Sequence, residues 1–164
     1  MKIFDSSPLI AILGNLNDPE IMEKLIQLGY ILYVPSLVVA EVTKNPEKDN
    51  LDNMISKKKI TKVSPINDNT LVAFRNRFFR LGKGESELIL IAQDWQKTSK
   101  EFYCILDDNE ARKIAELFKL KCIGTIGLLQ KLKETDKLTD DELERHFKKL
   151  EQSGFRYDFK KAKK

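Results

Sequence analysis

Along this chain, short runs of consecutive or alternating apolar residues give way repeatedly to longer stretches in which apolar positions recur every three or four residues. The first pattern marks strands and the second amphipathic helices. Lys2 to Phe4 is short and apolar and stops at Asp5-Ser6-Ser7-Pro8. That order predicts a strand, a carboxylate at its end, and a helix capped by Ser7 with Pro8 at its first position. A second helix is predicted from Pro19 to Leu28, closed by Gly29. Tyr30 to Val34 is β-branched and aromatic and predicts a second strand, after which Pro35-Ser36 opens a helix that Asn45-Pro46 stops. Asp49 to Lys59 carries few apolar positions and predicts a weak helix. Leu71, Phe74, Phe78 and Leu81 give Asp68 to Leu81 a helical period, which Gly82 and Gly84 interrupt before another helix runs to about Trp95. Phe102 to Leu106 is a predicted strand, Asn109 to Phe118 a helix, and Lys121 to Ile123 a short strand, with Gly124 opening the next helix. Strands that alternate with helices predict an α/β fold around a parallel sheet.

The end of the chain is built differently. Thr139 with Glu142 forms a capping box, and Leu143, Phe147 and Leu150 give the helix behind it an apolar stripe that ends at Ser153-Gly154. Phe155 to Phe159 alternates as a strand or a docking segment would, and Lys160 to Lys164 reads as a basic tail. The expected organisation is one globular domain: residues 1–135 as the body, 136–159 as a C-terminal helix and docking segment of the same domain, and 160–164 as the tail. A chain of 164 residues, 41% hydrophobic and 33% charged, is long enough to build such a core without disulfides or a structural metal.

Composition narrows the chemistry. The only histidine, His146, lies late in a polar helix, and Cys104 and Cys122 have no further Cys or His near them to complete a zinc set. They are expected to be free buried thiols. A Ser-His-Asp mechanism would have to recruit His146, so an enzyme built on this chain is expected to run on carboxylates. Clean apolar stretches such as Leu88 to Ala92 fall far short of the ~20 residues a membrane helix needs. Asp5 also interrupts the N-terminus before a signal-peptide core forms. A cytoplasmic, unprocessed protein with no membrane partner is expected.

In a parallel α/β sheet, ligands gather outside the carboxyl ends of the strands. Asp5 ends the first predicted strand, and Asp107 and Asp108 end the one that begins at Phe102. Each has an ordinary alternative as a turn or cap residue, Asp108 as the N-cap of the following helix in particular. Glu41 follows Leu37 and Val38 by four and three residues, which places it on the helix stripe expected to face the core. Glu85 stands three, four and seven residues before Leu88, Ile89 and Ala92, at the centre of an apolar face. Glu87 is rotated from it by about 200° and is expected in solvent. A lone buried carboxylate is costly unless paired or bound to a metal. Without His or Cys, the natural neutralising partner of Asp5, Glu41, Glu85 and the Asp107-Asp108 pair is a hard divalent cation, Mg2+ or Mn2+, and such a cluster suits phosphoryl chemistry.

The motif order resembles the PIN-domain ribonucleases. The segments are Asp5-Ser6-Ser7-Pro8-Leu9-Ile10, Val38-Val39-Ala40-Glu41-Val42, Gly82-Lys83-Gly84-Glu85-Ser86-Glu87 and Leu106-Asp107-Asp108-Asn109-Glu110-Ala111-Arg112. Within that family, Leu-Asp-Asp-x-x-Ala-Arg, the following Gly124, Thr125 and Gly127, and Ser153 to Arg156 are similar to a VapC-like subgroup. The resemblance covers nearly the whole chain, and it is the order and spacing of the motifs that carry it. It implies a three-layer α/β/α fold with a central, mainly parallel sheet of four to five strands. It further implies a metal-dependent endoribonuclease whose acids are Asp5, Glu41, Glu85 and one or both of Asp107 and Asp108. Leu106 stands where the family usually has Thr, and Glu85 where it usually has Asp, with Glu87 as the alternative. The implied role is the toxin of a toxin–antitoxin pair, with RNA as substrate, an antitoxin protein as partner, and a possible homodimer.

The net charge of +4 is too mild to argue for nucleic acid by itself. Its placement says more, because Arg75, Arg77, Arg80 and Lys83 crowd just before Glu85, where they could hold phosphates. A solvated helix face is the competing reading. Arg112 follows Asp108 by four residues, which fits either an i,i+4 ion pair or a substrate contact. Two other functions stay open: a catalytically silent RNA-binding protein with this fold, and a small phosphatase or structure-specific DNA nuclease.

Overall fold

In a computed structural model of the chain, which describes residues 1–63, 67–98 and 101–157, five strands pair in parallel throughout. They are β1 (Lys2–Phe4), β2 (Leu32–Pro35), β3 (Ile60–Val63), β4 (Tyr103–Ile105) and β5 (Cys122–Ile123), in the order β3-β2-β1-β4-β5. Ile3 of β1 stands opposite Tyr33 on one side and Cys104 on the other. The chain steps outward from β1 to β2 and β3, then crosses back to lay β4 and β5 on the other side. The strand order therefore reverses between β1 and β4, the position at which open α/β sheets form a crevice.

Alternation along the strands makes three layers. Phe4, Leu32, Val34 and Ile105 point into one core cluster, while Ile3, Cys104 and Leu106 point into the other. The first cluster is covered by α1 (Ser6–Leu9) and the π-helical segment that continues it (Ile10–Asn15), with α2 (Glu20–Gln27), α4 (Glu47–Ser56), α8 (Thr125–Glu134) and α9 (Asp140–Gln152). The second is covered by α5 (Asp68–Arg77), α6 (Lys83–Lys97) and α7 (Asn109–Leu117). The short α3 (Ser36–Glu41) packs against α6. Among the described residues no helix is long and apolar enough to cross a membrane.

Several expectations need correction. The first helix begins at Ser6, one residue after Asp5, and Pro8 sits inside its first turn, where an amide would have no intrahelical partner in any case. The helix after β2 ends at Glu41 and does not run to Asn45. Extended backbone at Val42 (φ −82°, ψ 93°) turns that side chain into the core, at 2% exposure. The strand β3 was not predicted. Its two middle residues, Thr61 and Lys62, are exposed, as an edge strand allows, so it lacks the apolar run that marks the others.

The C-terminal helix is capped as predicted. Thr139 Oγ1 accepts from the Glu142 amide (3.2 Å), and Glu142 Oε2 accepts from the Thr139 amide (2.7 Å). Gly154 adopts φ +80°, and Phe155 folds back against the first core cluster. Residues 155–157 form no strand; Asp158, Phe159 and the tail from Lys160 to Lys164 lie outside the described residues. Cys104 and Cys122 are free thiols opposite one another on β4 and β5; the first is buried and the second half-buried.

Candidate functional site

The carboxyl end of β1 places Asp5 where the strand order reverses. The side chain is 1% exposed, and neither carboxylate oxygen has a hydrogen-bond partner. Burial lifts its pKa to about 7, and the neighbouring carboxylates of Glu85 and Glu41 push it the same way. The amides of Ser6 and Ser7 pull in the opposite direction without closing a hydrogen bond on it.

Glu41 reaches the same place from the end of α3. Contrary to expectation it does not face the core: α3 stops at this residue, so the stripe begun by Leu37 and Val38 has no further turn, and Glu41 is exposed. Its carboxylate is nonetheless held from two sides, Oε2 accepting from the Ser6 hydroxyl and Oε1 from the Gly84 amide, each at 2.9 Å. A Cβ on Gly84 would stand 2.7 and 2.9 Å from those two oxygens and 2.9 Å from Val38 Cγ2, so any larger residue there would push Glu41 out of this position. Ser6, whose hydroxyl holds Glu41, is a residue that the sequence does not single out. The only signal for it is a hydroxyl next to the first acid.

Glu85, in the first turn of α6, is half-buried, and its Oε2 accepts from the Gly82 amide at 2.8 Å. Burial raises its pKa, opposed by that amide, with the charges of Asp108 and Glu41 adding to the rise. Asp108 is exposed at the start of α7, and its Oδ1 accepts from the amides of Glu110 (2.8 Å) and Ala111 (2.9 Å) as an N-cap. Asp5 thus feels the charges of Glu85 and Glu41, and Glu85 those of Asp108 and Glu41, so that acids from four elements are linked through Glu85. The only atoms these side chains could offer a metal are oxygens.

Asp107 points elsewhere. Its Oδ1 accepts from the Thr125 amide (2.7 Å) and its Oδ2 from the Thr125 hydroxyl (2.6 Å), tying the end of β4 to the start of α8. Burial raises its pKa, with Thr125 and then Arg112 opposing. Arg112 lies on the same side of Gly124 as this carboxylate and acts on it through its charge: a Cβ on Gly124 would lie 2.9 Å from Asp107 Oδ1 and 3.4 Å from Arg112 Nη1. The segment from Leu106 to Arg112 and the Gly124-Thr125 pair therefore fold into one packed unit, with Leu106 and Ala111 fully buried.

Glu87 is also corrected. It is 1% exposed, more buried than Glu85, and its Oε2 accepts from the Leu37 amide at 2.7 Å. Its Oε1 is enclosed with no partner, and burial raises its pKa, helped by Glu41 and opposed by the Leu37 amide. Helix α6 is covered by α3 as well as by the sheet, so nearly every residue from Gly84 to Ala92 is buried and more than one of its faces is enclosed. Of the basic cluster, Arg77, Arg80 and Lys83 are exposed, while Arg75 is half-buried with its Nε enclosed and unpartnered.

As the side chains stand, no three Asp, Glu, His or Cys among the described residues are gathered tightly enough to hold a metal ion. The residue best suited to receive one is Asp5, with two buried oxygens and no donor for either. A family model described as DUF3368, PIN domain, matches residues 1–164. No curated protein and no solved structure matches the chain.

Proposed function

The chain belongs to the PIN-domain family along its whole length, and on that premise we propose that it is an endoribonuclease that hydrolyses RNA phosphodiester bonds with Mg2+ or Mn2+. We further assign it to the VapC-like subgroup, as the toxin of a toxin–antitoxin pair acting in the cytoplasm. The observation that carries the activity is the state of Asp5, a buried carboxylate without a hydrogen-bond donor, facing Glu85 and Glu41. Such an arrangement is costly unless a cation neutralises it, and an oxygen-only donor set fits a hard divalent ion.

In this reading Asp5, Glu41, Glu85 and Asp108 hold the ion. A divalent ion bound there would supply positive charge at the attacked phosphate and would lower the pKa of a nucleophilic water. The remaining work belongs to the chain. Ser6 and the Gly84 amide fix the orientation of Glu41, the Gly82 amide that of Glu85, and the amides of Glu110 and Ala111 that of Asp108. Asp107 is left outside the ligand set as the residue that fastens β4 to α8, with Arg112 beside it. Arg77, Arg80 and Lys83 draw the phosphate backbone toward the acids, which would otherwise repel it.

The test is incubation of the full chain with single-stranded RNA and single-stranded DNA in Mn2+, in Mg2+ and in excess EDTA. The expected result is RNA cleavage in metal only, leaving a 5′-phosphate and a 3′-hydroxyl, and absent in Asp5→Asn and Asp108→Asn. Cleavage that survives EDTA, or a 2′,3′-cyclic phosphate product, overturns it. Cutting of DNA alone would make the protein a DNA nuclease, and RNA binding without cutting would make it a silent binding protein.

A further inference from the structure

The turn between α5 and α6 displays an aromatic side chain that the fold does not use. The Leu81 amide donates to the Phe78 carbonyl at 3.0 Å, closing a turn with Phe79 and Arg80 at its tip. Both flanks are anchored. Leu81 is 2% exposed, and the Phe78 ring packs against Phe74 (4.8 Å) and Phe118 (5.7 Å). Phe79 itself is 78% exposed. Turn tips ordinarily take Gly, Asn, Asp, Pro or Ser, so a phenyl ring there adds neither turn propensity nor core contact.

Two contacts place this tip beside the acids. Arg80, whose guanidinium lies 5.9 Å from the Phe79 ring centroid, reaches to within 3.9 Å of Glu110, the residue whose amide Asp108 accepts. On the other side, Gly82 follows Phe79 by three residues and donates to Glu85. Three exposed cations flank Phe79 along the chain: Arg80 beside its ring, Arg77 with its guanidinium 5.3 Å from the neighbouring Phe78 ring, and Lys83 at the start of α6. An apolar protein partner would meet a lone ring surrounded by charge. A single-stranded polyanion with aromatic bases meets phosphate sites and a stacking face together.

Resting on the nuclease reading above, we propose that Phe79 stacks an unpaired base of the RNA substrate at the rim of the acidic cleft, with Arg77, Arg80 and Lys83 holding the flanking phosphates. A duplex can offer phosphates to these cations, but its bases are already stacked. The site therefore selects single-stranded RNA, and it does so through Phe79.

The experiment is fluorescence anisotropy of labelled single-stranded and duplex oligoribonucleotides in Mn2+, in an Asp5→Asn background so that the probe is not cut. Phe79→Ala should weaken single-strand binding roughly five- to hundredfold and leave duplex binding and the melting temperature unchanged. Phe79→Trp should bind as well as Phe79, with its indole fluorescence quenched by the oligonucleotide, whereas Phe79→Leu should not rescue. Equal binding by Phe79→Ala and its parent overturns the stacking role while leaving the nuclease reading intact. Rescue by Leu as complete as by Trp also overturns it, since that would show an apolar contact only. Loss of self-association with unchanged RNA binding would make the patch a protein interface and overturn it too. If the parent binds no single-stranded RNA at all, the stacking role and the nuclease reading fall together.

Discussion

At the scale of single residues, Asp5 makes its own contribution to how the metal-free protein responds to pH. Its pKa rises from 3.8 in the unfolded chain to about 7 when folded, so between those values the folded state keeps a proton that the unfolded state has released. Stability from this residue is therefore complete below about pH 4, is lost as pH rises toward about 7, and is level above that. In EDTA, the unfolding free energy of the wild type should fall on the order of a few kcal/mol across that window relative to Asp5→Asn, which cannot ionise. Parallel pH profiles for the two proteins would place the cause elsewhere. Asp5 was legible because a carboxylate directly after a short apolar strand can occupy only the sheet edge. Glu41 lies near Asp5, but not for the reason expected: its helix ends before it can face the core, and a serine hydroxyl and a glycine amide keep it in place. Glu87 was misread because helix periodicity tells which residues share a face but not how many faces a helix buries.

At the scale of elements, adjacent aspartates at the end of β4 divide two tasks. Asp107 binds β4 to α8 through Thr125, whereas Asp108 caps α7 and turns toward Glu85. Thr125→Val removes the hydroxyl donor of a half-buried carboxylate and should cost about 1–3 kcal/mol in urea unfolding, with cleavage per folded molecule retained. Asp108→Ala removes a cap, worth ~1 kcal/mol, yet should abolish cleavage. Loss of cleavage by a folded Thr125→Val protein would move Asp107 into the ligand set. Elements with their own apolar signal or cap were legible from the chain: β1, β4, the capping box of α9, and the glycine turn before α6. β3 was not, because an edge strand of Ile-Thr-Lys-Val exposes its middle residues and shows no alternation. Nor was the end of α3, which is set by Val42 packing into a core assembled from distant segments.

At the scale of the whole molecule, strand order is what no local window contains. Alternating elements predict a parallel sheet, but the reversal between β1 and β4 arises only when the entire chain is laid down, and that reversal brings Asp5 and Asp108 to one crevice. The net charge of +4 is equally uninformative until the fold separates the acids in the cleft from the arginines on its rim. If the cleft holds a metal, relief of repulsion and loss of ligation must act with opposite signs on stability. Glu85→Gln keeps an oxygen for the Gly82 amide, and Asp108→Asn keeps the cap, so neither should disturb its helix. Each removes one like charge, so each variant should melt above the wild type in EDTA. Added Mn2+ binds only the native state and should stabilise the wild type by RT ln(1 + [L]/Kd), about 2.7 kcal/mol at one hundred times Kd. For a domain of this size that is roughly 5–10 °C in melting temperature. The two variants should lose most of that shift, so that the order of melting temperatures inverts between EDTA and Mn2+. Acids serving only as caps and turn residues would give no inversion: the variants would melt with or below the wild type in EDTA, and Mn2+ would move none of them.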